Sequence, residues 1–183
     1  MGSVLKIGIC GAPGTGKSTL ALKLASGHKA AHPYMRVGIV TETARRSPWP
    51  LGQLVWPDGQ RWIFHEQFRA ELEECRRNNV VICDRTVLDA AVYAAAGGMA
   101  EDVASWEGII KRWWHTYDTV YFLSPALAIA NDGVRAMERD YQRQIHDKFE
   151  EIISTWQLPV ARLCGETSGL AVTLPQQAGG KYA

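Results

Sequence analysis

The chain has almost no net charge, no Cys-x-x-Cys pair, no His-Glu-x-x-His, and no apolar run near the ~18 to 20 residues that span a bilayer. Each absence removes a class of function. A formal charge of +1 lacks the excess of Lys and Arg carried by proteins that neutralise many phosphates, which argues against extensive duplex binding and leaves room only for a local basic cleft. Cys10, Cys75, Cys83 and Cys164 are scattered, and three of them sit in or beside apolar runs, so they read as reduced, small hydrophobes rather than as zinc ligands or disulfide partners. His28, His32, His65, His115 and His146 show no ligand spacing and receive no metal role. With no spanning run and no basic flank ahead of an apolar core at the N-terminus, the expected compartment is the cytoplasm, with no membrane partner. Lys6 stands where a myristoylation signal needs Ser or Thr.

What the chain does have is enough length and apolar content for one ordinary core: 183 residues, 46% hydrophobic. A single domain is expected over residues 1–174, with a small, polar tail over 175–183. Val4 to Cys10 reads as a buried strand, followed by a glycine-rich turn and a helix over Ser18 to Ala25 with Leu20, Ala21 and Leu24 on one face. Val37 to Val40, Val80 to Cys83, Val120 to Leu123 and Leu158 to Leu163 repeat the short apolar pattern. Five such strands alternating with helical stretches predict a parallel sheet covered on both faces, an α/β fold in three layers. Ser47 to Gly59 is expected to be a loop over a pocket, since Pro48, Pro50 and Pro57 break regular structure. Asp58 then caps a helix over Gly59 to Arg77, with Phe64, Phe68, Leu72 and Cys75 on one side. A further helix is predicted over Val87 to Ala96, stopped by Gly97-Gly98, and a last one over Val134 to Trp156 with Val134, Met137, Tyr141, Ile145, Phe149, Ile152 and Trp156 facing the core.

Gly11-Ala12-Pro13-Gly14-Thr15-Gly16-Lys17-Ser18 fits G-x-x-x-x-G-K-[ST] between a strand and a helix, the context in which that pattern binds phosphate. The glycines let successive N–H groups turn toward phosphate oxygens, and the helix N-terminus adds its dipole. Lys17, expected to stand exposed at the loop, reaches the terminal phosphates, and the Ser18 hydroxyl binds magnesium, with Thr19 next in line. Asp84 closes an apolar strand, which sets a carboxylate at the edge where open α/β sheets bind ligands. There it holds magnesium through water, accepts the proton of an attacking hydroxyl, or simply caps the next helix.

These segments, with Asp84-Arg85, Thr41-Glu42-Thr43-Ala44-Arg45 and Asn131-Asp132-Gly133-Val134-Arg135, resemble the small P-loop nucleoside and nucleotide kinases. The similarity runs from about Val4 to Leu163, and it is greatest to the branch containing the nicotinamide riboside kinase domain of bacterial NAD regulators and phage ATP-binding proteins. The resemblance implies a nucleotide-kinase-like P-loop NTPase fold with a short helical lid, ATP and Mg2+ as cofactors, and transfer to a nucleoside or nucleotide. It also implies that Glu42 lines the acceptor pocket, that Arg45 meets an acceptor or transferred phosphate, that Arg85 is the arginine of an Asp-Arg motif, and that Gln67 reads a base edge. From the residues alone, Glu42 and Arg45 can equally be a surface pair and Gln67 a solvated helix residue.

Arg135, Arg139 and Arg143 are spaced by four, so they form a cationic ladder on one helical stripe, suited to a lid that neutralises charge on a moving phosphoryl group. The alternative is a solvated face balanced by Glu138 and Asp147. Trp49 and Trp56 fall in the proline-rich segment, with Trp62 beside it, where they can stack a ring; Trp106, Trp113, Trp114 and Trp156 lie on helical patterns and read as core. Three functions fit this pattern: a nucleoside or nucleotide kinase, a phage-type kinase acting on a hydroxymethylated base in DNA, and a non-catalytic nucleotide-binding regulator. No lysine occurs from Ser47 to Gly59, which disfavours a DNA channel, while Arg61, Arg69, Arg76 and Arg77 keep a basic rim in play.

Overall fold

The computed structural model describes residues 4–50, 55–125 and 133–163, with side chains on the last helix described from Arg139 onward. Five strands form one sheet: β1 (Leu5–Gly11), β2 (Val37–Val40), β3 (Val80–Asp84), β4 (Thr119–Leu123) and β5 (Ala161–Leu163). All neighbours are parallel and the order is β2-β3-β1-β4-β5. Parallel strands need helical crossovers, and these build the outer layers: α1 (Lys17–Ala31), α2 (Pro57–Arg77), α3 (Val87–Ala96), α4 (Ala100–Trp114) and α5 (Gly133–Trp156).

Strand alternation sorts the core into two halves. Leu5, Ile7 and Ile9 of β1, with Val80 and Ile82 of β3, pack under Leu20, Ala21 and Leu24 of α1. Cys10, Val81, Cys83, Val120 and Phe122 point the other way, into a larger cluster with α2, α3, α4 and α5. The three-layer α/β/α architecture is therefore present, with a thin layer on one face and a thick one on the other. Cys10 and Cys83 are buried, Cys75 is half-buried, and all three are free thiols; Cys164 and the tail from 175 lie outside the described residues.

Several boundaries differ from the sequence expectation, each for a local reason. Helix α1 runs on to Ala31. Helix α2 starts at Pro57 rather than Gly59, because proline at the first helical position gives up an N–H that would be unpaired anyway. Asp58 is consequently inside the first turn, paired with Arg61 at 3.0 Å, and caps nothing. Leu72 is 53% exposed, since eight residues from Phe64 drift about 80° round the helix, and the inward face is taken by Ile63, Phe64, Gln67, Ala70 and Glu71. Residues 100–114 form a whole helix, α4, which buries Trp106 and Trp114. Strand β5 begins only after Pro159. No helix among the described residues is long and apolar enough to cross a membrane.

Gly11, the last residue of β1, has φ +144, and a Cβ there would lie 2.5 Å from the Leu123 carbonyl oxygen of β4. The phosphate-loop segment therefore leaves the sheet through a gap only glycine fits. Gly11→Ala is expected to add strain of ~1–3 kcal/mol and overlap of similar size, lowering the thermal midpoint by roughly 5 to 15 °C. An unchanged midpoint in a thermal melt would show that β1 is not held against Leu123.

Candidate active site

The end of β1 and the start of α1 are joined by five residues whose polar groups turn inward. Gly14 and Gly16 have φ of +71 and +86, so the backbone curls before α1 begins at Lys17. Thr15 Oγ1 donates to the Ala12 carbonyl at 2.9 Å. The Gly16 cap supplies no side-chain acceptor, and the first turn of α1 carries no acid. The contrast with α3 is instructive: there Thr86 and Asp89 form a reciprocal capping box. The N–H groups at the head of α1 are left for an external acceptor, a position that favours an anion.

Lys17 is only 6% exposed, not exposed at the loop as expected. Its ammonium donates to the Ala12 carbonyl at 2.6 Å and lies 3.4 Å from Thr15 Oγ1, folded back over the turn. Burial, and next the nearby Arg85 charge, pull its pKa down to about 8, against the pull of Asp89 and Asp84. Ser18 and Thr19 are exposed on the first turn of α1. Ser18 Oγ donates to Asp84 Oδ2 at 2.6 Å, which joins the loop to the end of β3. Asp84 is not a helix cap, because Thr86 fills that role.

The neighbouring strand ends carry the second group. After β2, Glu42 leads into a 3-10 turn over Thr43–Arg46. Arg85, directly after β3, adopts φ +100, a strained conformation for a residue with a side chain. Its Nε and Nη2 donate to Glu42 Oε1 at 2.8 and 2.7 Å, and Nη1 donates to Asp89 Oδ1 at 3.1 Å. The guanidinium also lies 5.5 Å from the centroid of the Tyr93 ring. Burial opposes the charge of Glu42, yet Arg85 and Arg45 hold its carboxyl below the usual carboxylate range. Arg45 is 75% exposed and donates to Glu42 Oε2 at 2.8 Å.

Asp89, Tyr93 and Gln142 belong to this region and were not picked out from the sequence; Tyr141, expected on the core-facing stripe of α5, is half-buried against the core. Asp89 is legible in hindsight from the Thr86-x-x-Asp89 capping spacing. Gln142, one turn beyond Arg139 on α5, donates to the Pro13 carbonyl at 2.5 Å and lies against Gly14. Arg139 is half-buried and Arg143 exposed; the Arg135 side chain, Asn131, Asp132 and the rest of the expected lid lie outside the described residues.

Two substrate expectations change. Gln67 is 2% exposed: its Oε1 accepts from Thr43 Oγ1, and its Nε2 donates to Glu71 Oε1 and to the Arg85 carbonyl. It is neither a solvated residue nor an amide free to read a base. Trp49, half-buried, and Trp56, 48% exposed, meet at Gly59 on the first turn of α2. Among the described residues no hydrogen bond, ion pair or ring contact joins either of them to Glu42, Arg45 or Arg85. The basic rim is likewise not assembled: Arg61 is paired with Asp102 and Asp58, and Arg69 with Glu66 and Glu73. Arg76 and Arg77 end α2 just before β3 begins, at the amino edge of the sheet, opposite the phosphate loop.

The model of the AAA domain family matches residues 6–168 of this sequence. No curated protein matches it. Solved structures with a similar fold include thymidylate kinase from Ehrlichia chaffeensis, 13% identical over 94% of this chain and 92% of that one, with a TM-score of 0.57. The NadR protein in complex with NR is 19% identical over 93% of this chain, with a TM-score of 0.63; the match spans 48% of that protein. Deoxyadenosine kinase from M. mycoides is 14% identical over 88% of this chain and 90% of its own, at a TM-score of 0.54. The likeness is one of fold, and it falls on the small kinases that the motifs resemble.

The low pKa of Lys17 has a measurable sign. A lysine less basic in the folded than in the unfolded chain is less protonated when folded, so without ligand stability rises from pH about 8 toward the ordinary 10.5. An anionic phosphate beside it reverses the preference, so binding a nucleoside triphosphate takes up a proton and weakens as pH rises through about 8. Calorimetric titration at about pH 9 in buffers of different ionisation enthalpy should show proton uptake approaching one, absent in Lys17→Met. Flat affinity and no uptake would place Lys17 away from the anion.

Proposed function

The chain belongs to the AAA domain family, and from that premise we propose that it is an ATP-dependent phosphotransferase acting on a nucleoside-like hydroxyl. One observation carries the reading: an uncapped helix N-terminus under a glycine loop, with the Ser18 hydroxyl and the Asp84 carboxylate 2.6 Å apart beside it. That pair suits Mg2+, a hard cation that prefers oxygen ligands and is commonly held by one carboxylate, water and substrate phosphates. When bound, the ion neutralises charge on the nucleotide phosphates.

The residues divide the work as follows. Loop N–H groups from Gly11 to Thr19 receive the phosphates, and Lys17 turns from the Ala12 carbonyl to the β- and γ-oxygens. The acceptor hydroxyl oxygen forms a bond to the γ-phosphorus as the bond to the β–γ bridging oxygen breaks, releasing ADP. Asp84, bonded to Ser18, would hold the metal, which leaves Glu42 to receive the hydroxyl proton as a weak base, its carboxyl held low by Arg85 and Arg45. Arg139 on α5 adds positive charge over the transferred group.

Charge balance favours a nucleoside over a nucleotide acceptor. Arg85 is already shared by Glu42 and Asp89, and Arg45 is paired with Glu42. Both guanidiniums are thus already neutralised by carboxylates, so the site welcomes an uncharged acceptor more readily than another phosphate dianion.

The test supplies ATP labelled at the γ-position with separate pools of nucleosides, mononucleotides and DNA carrying hydroxymethylated bases. Label is expected in the nucleoside pool. Label confined to DNA would overturn the acceptor assignment, and hydrolysis with no labelled acceptor would favour a nucleotide-binding regulator.

A further inference from the structure

Beneath the Glu42–Arg85 pair lies a buried polar network that the phosphotransfer reading leaves without a function. Glu71 of α2 is 0% exposed, and its two oxygens meet four donors: Lys6 Nζ at 2.6 Å, Trp113 Nε1 at 2.8 Å, the Tyr117 hydroxyl at 2.7 Å and Gln67 Nε2 at 2.8 Å. Lys6, 4% exposed on β1, sits over the Trp113 and Tyr117 rings at 4.4 and 4.2 Å and also donates to Thr116 Oγ1. One turn before Glu71, Gln67 is the outlet of this cluster.

The chemistry of its partners fixes how the Gln67 amide is oriented. The Arg85 carbonyl can only accept, and the Glu71 carboxylate, crowded with donors, offers lone pairs. Both therefore require the Nε2 side, at 3.1 and 2.8 Å. The oxygen is then left to the Thr43 hydroxyl, which donates at 3.0 Å. A flipped amide would set oxygen against oxygen twice. Gln67 thus has one orientation, and in it the side chain bridges the loop after β2 and the loop after β3.

Those two loops carry Glu42 and Arg85, next to Thr43 and Asp84. Arg85 sits at φ +100, which persists only where the surroundings over-determine it. Its N–H is held by the Ile9 carbonyl at 3.1 Å and its carbonyl by Gln67. On this basis, and resting on the acceptor site proposed above, we infer that Gln67, anchored by Glu71 and Lys6, is a positioning residue: it clamps the Arg85 carbonyl to the Thr43 hydroxyl and so sets the spacing of Arg85 and Glu42 at the acceptor.

Thr43→Val removes one bond of the clamp and Gln67→Met removes all three, while Thr43→Ser restores the hydroxyl. Two readouts separate this inference from the kinase reading. The first is the Arg85 Nε–H resonance in 15N spectra, assigned with Arg85→Lys and followed without any substrate. Slow exchange in the wild type and Thr43→Ser, with faster exchange in Thr43→Val and Gln67→Met, supports the clamp whether or not the chain is a kinase. The second is the split of kinetic constants with the acceptor found by labelling: acceptor kcat/KM should fall about 10-fold in Thr43→Val and about 100-fold in Gln67→Met. The dissociation constant for Mg2+ and a non-hydrolysable ATP analogue should stay within about twofold of wild type. Unchanged Arg85 exchange in Thr43→Val, or equal losses in analogue binding and acceptor turnover, would overturn the inference even if Gln67→Met fails to fold.

Discussion

Parallel pairing of β1 on both sides is the constraint from which the site follows. With β3 and β4 as neighbours and helices over both faces, every residue of β1 is buried, and no polar ligand can reach the strand along its length. Chemistry is confined to the carboxyl edge, where β1, β2 and β3 release their chains into loops. Glu42 after β2, Asp84-Arg85 at the end of β3 and the phosphate loop after β1 are three adjacent exits along that edge, in the order in which the strands lie.

At this edge the helix ends have opposite fates. The N-terminus of α3 is closed by its own Thr86 and Asp89, while that of α1 is left open above a glycine turn. A closed end contributes about 1 kcal/mol of helix stability, and an open end forgoes it in exchange for a place to bind. The buried Lys6–Glu71 pair follows similar logic. Such a pair adds little net stability once desolvation is counted, yet losing one partner costs about 3–5 kcal/mol. Its use lies in the fixed direction it gives the Gln67 amide.

The sheet and the phosphate loop were legible because each depends on short-range pattern. Apolar runs of four to seven residues marked every strand, and the loop motif lay between a strand and a helix. Gln67 was misread because its spacing and polarity suit a solvated face; only the tertiary meeting of Thr43, Glu71 and the Arg85 carbonyl explains a buried amide. Lys17 was expected to reach outward, but the Ala12 carbonyl accepts from its ammonium and holds it back over the turn. Leu72 was misplaced by extending a four-residue spacing beyond two turns, where 3.6-residue geometry turns it outward. Nothing in the sequence marked Tyr93 or Gln142, whose roles arise from α3 and α5 converging on the loop.

The central claim is that the Ser18–Asp84 pair marks a metal-assisted phosphoryl-transfer centre. The most direct measurement is the rate of γ-phosphoryl transfer by Asp84→Asn at saturating Mg2+ and ATP, with the thermal midpoint recorded beside it. The variant keeps shape and hydrogen bonding but removes the charge, so transfer should fall on the order of 10² to 10³ while the midpoint stays within a few degrees. Transfer at the wild-type rate by a folded variant would contradict the account.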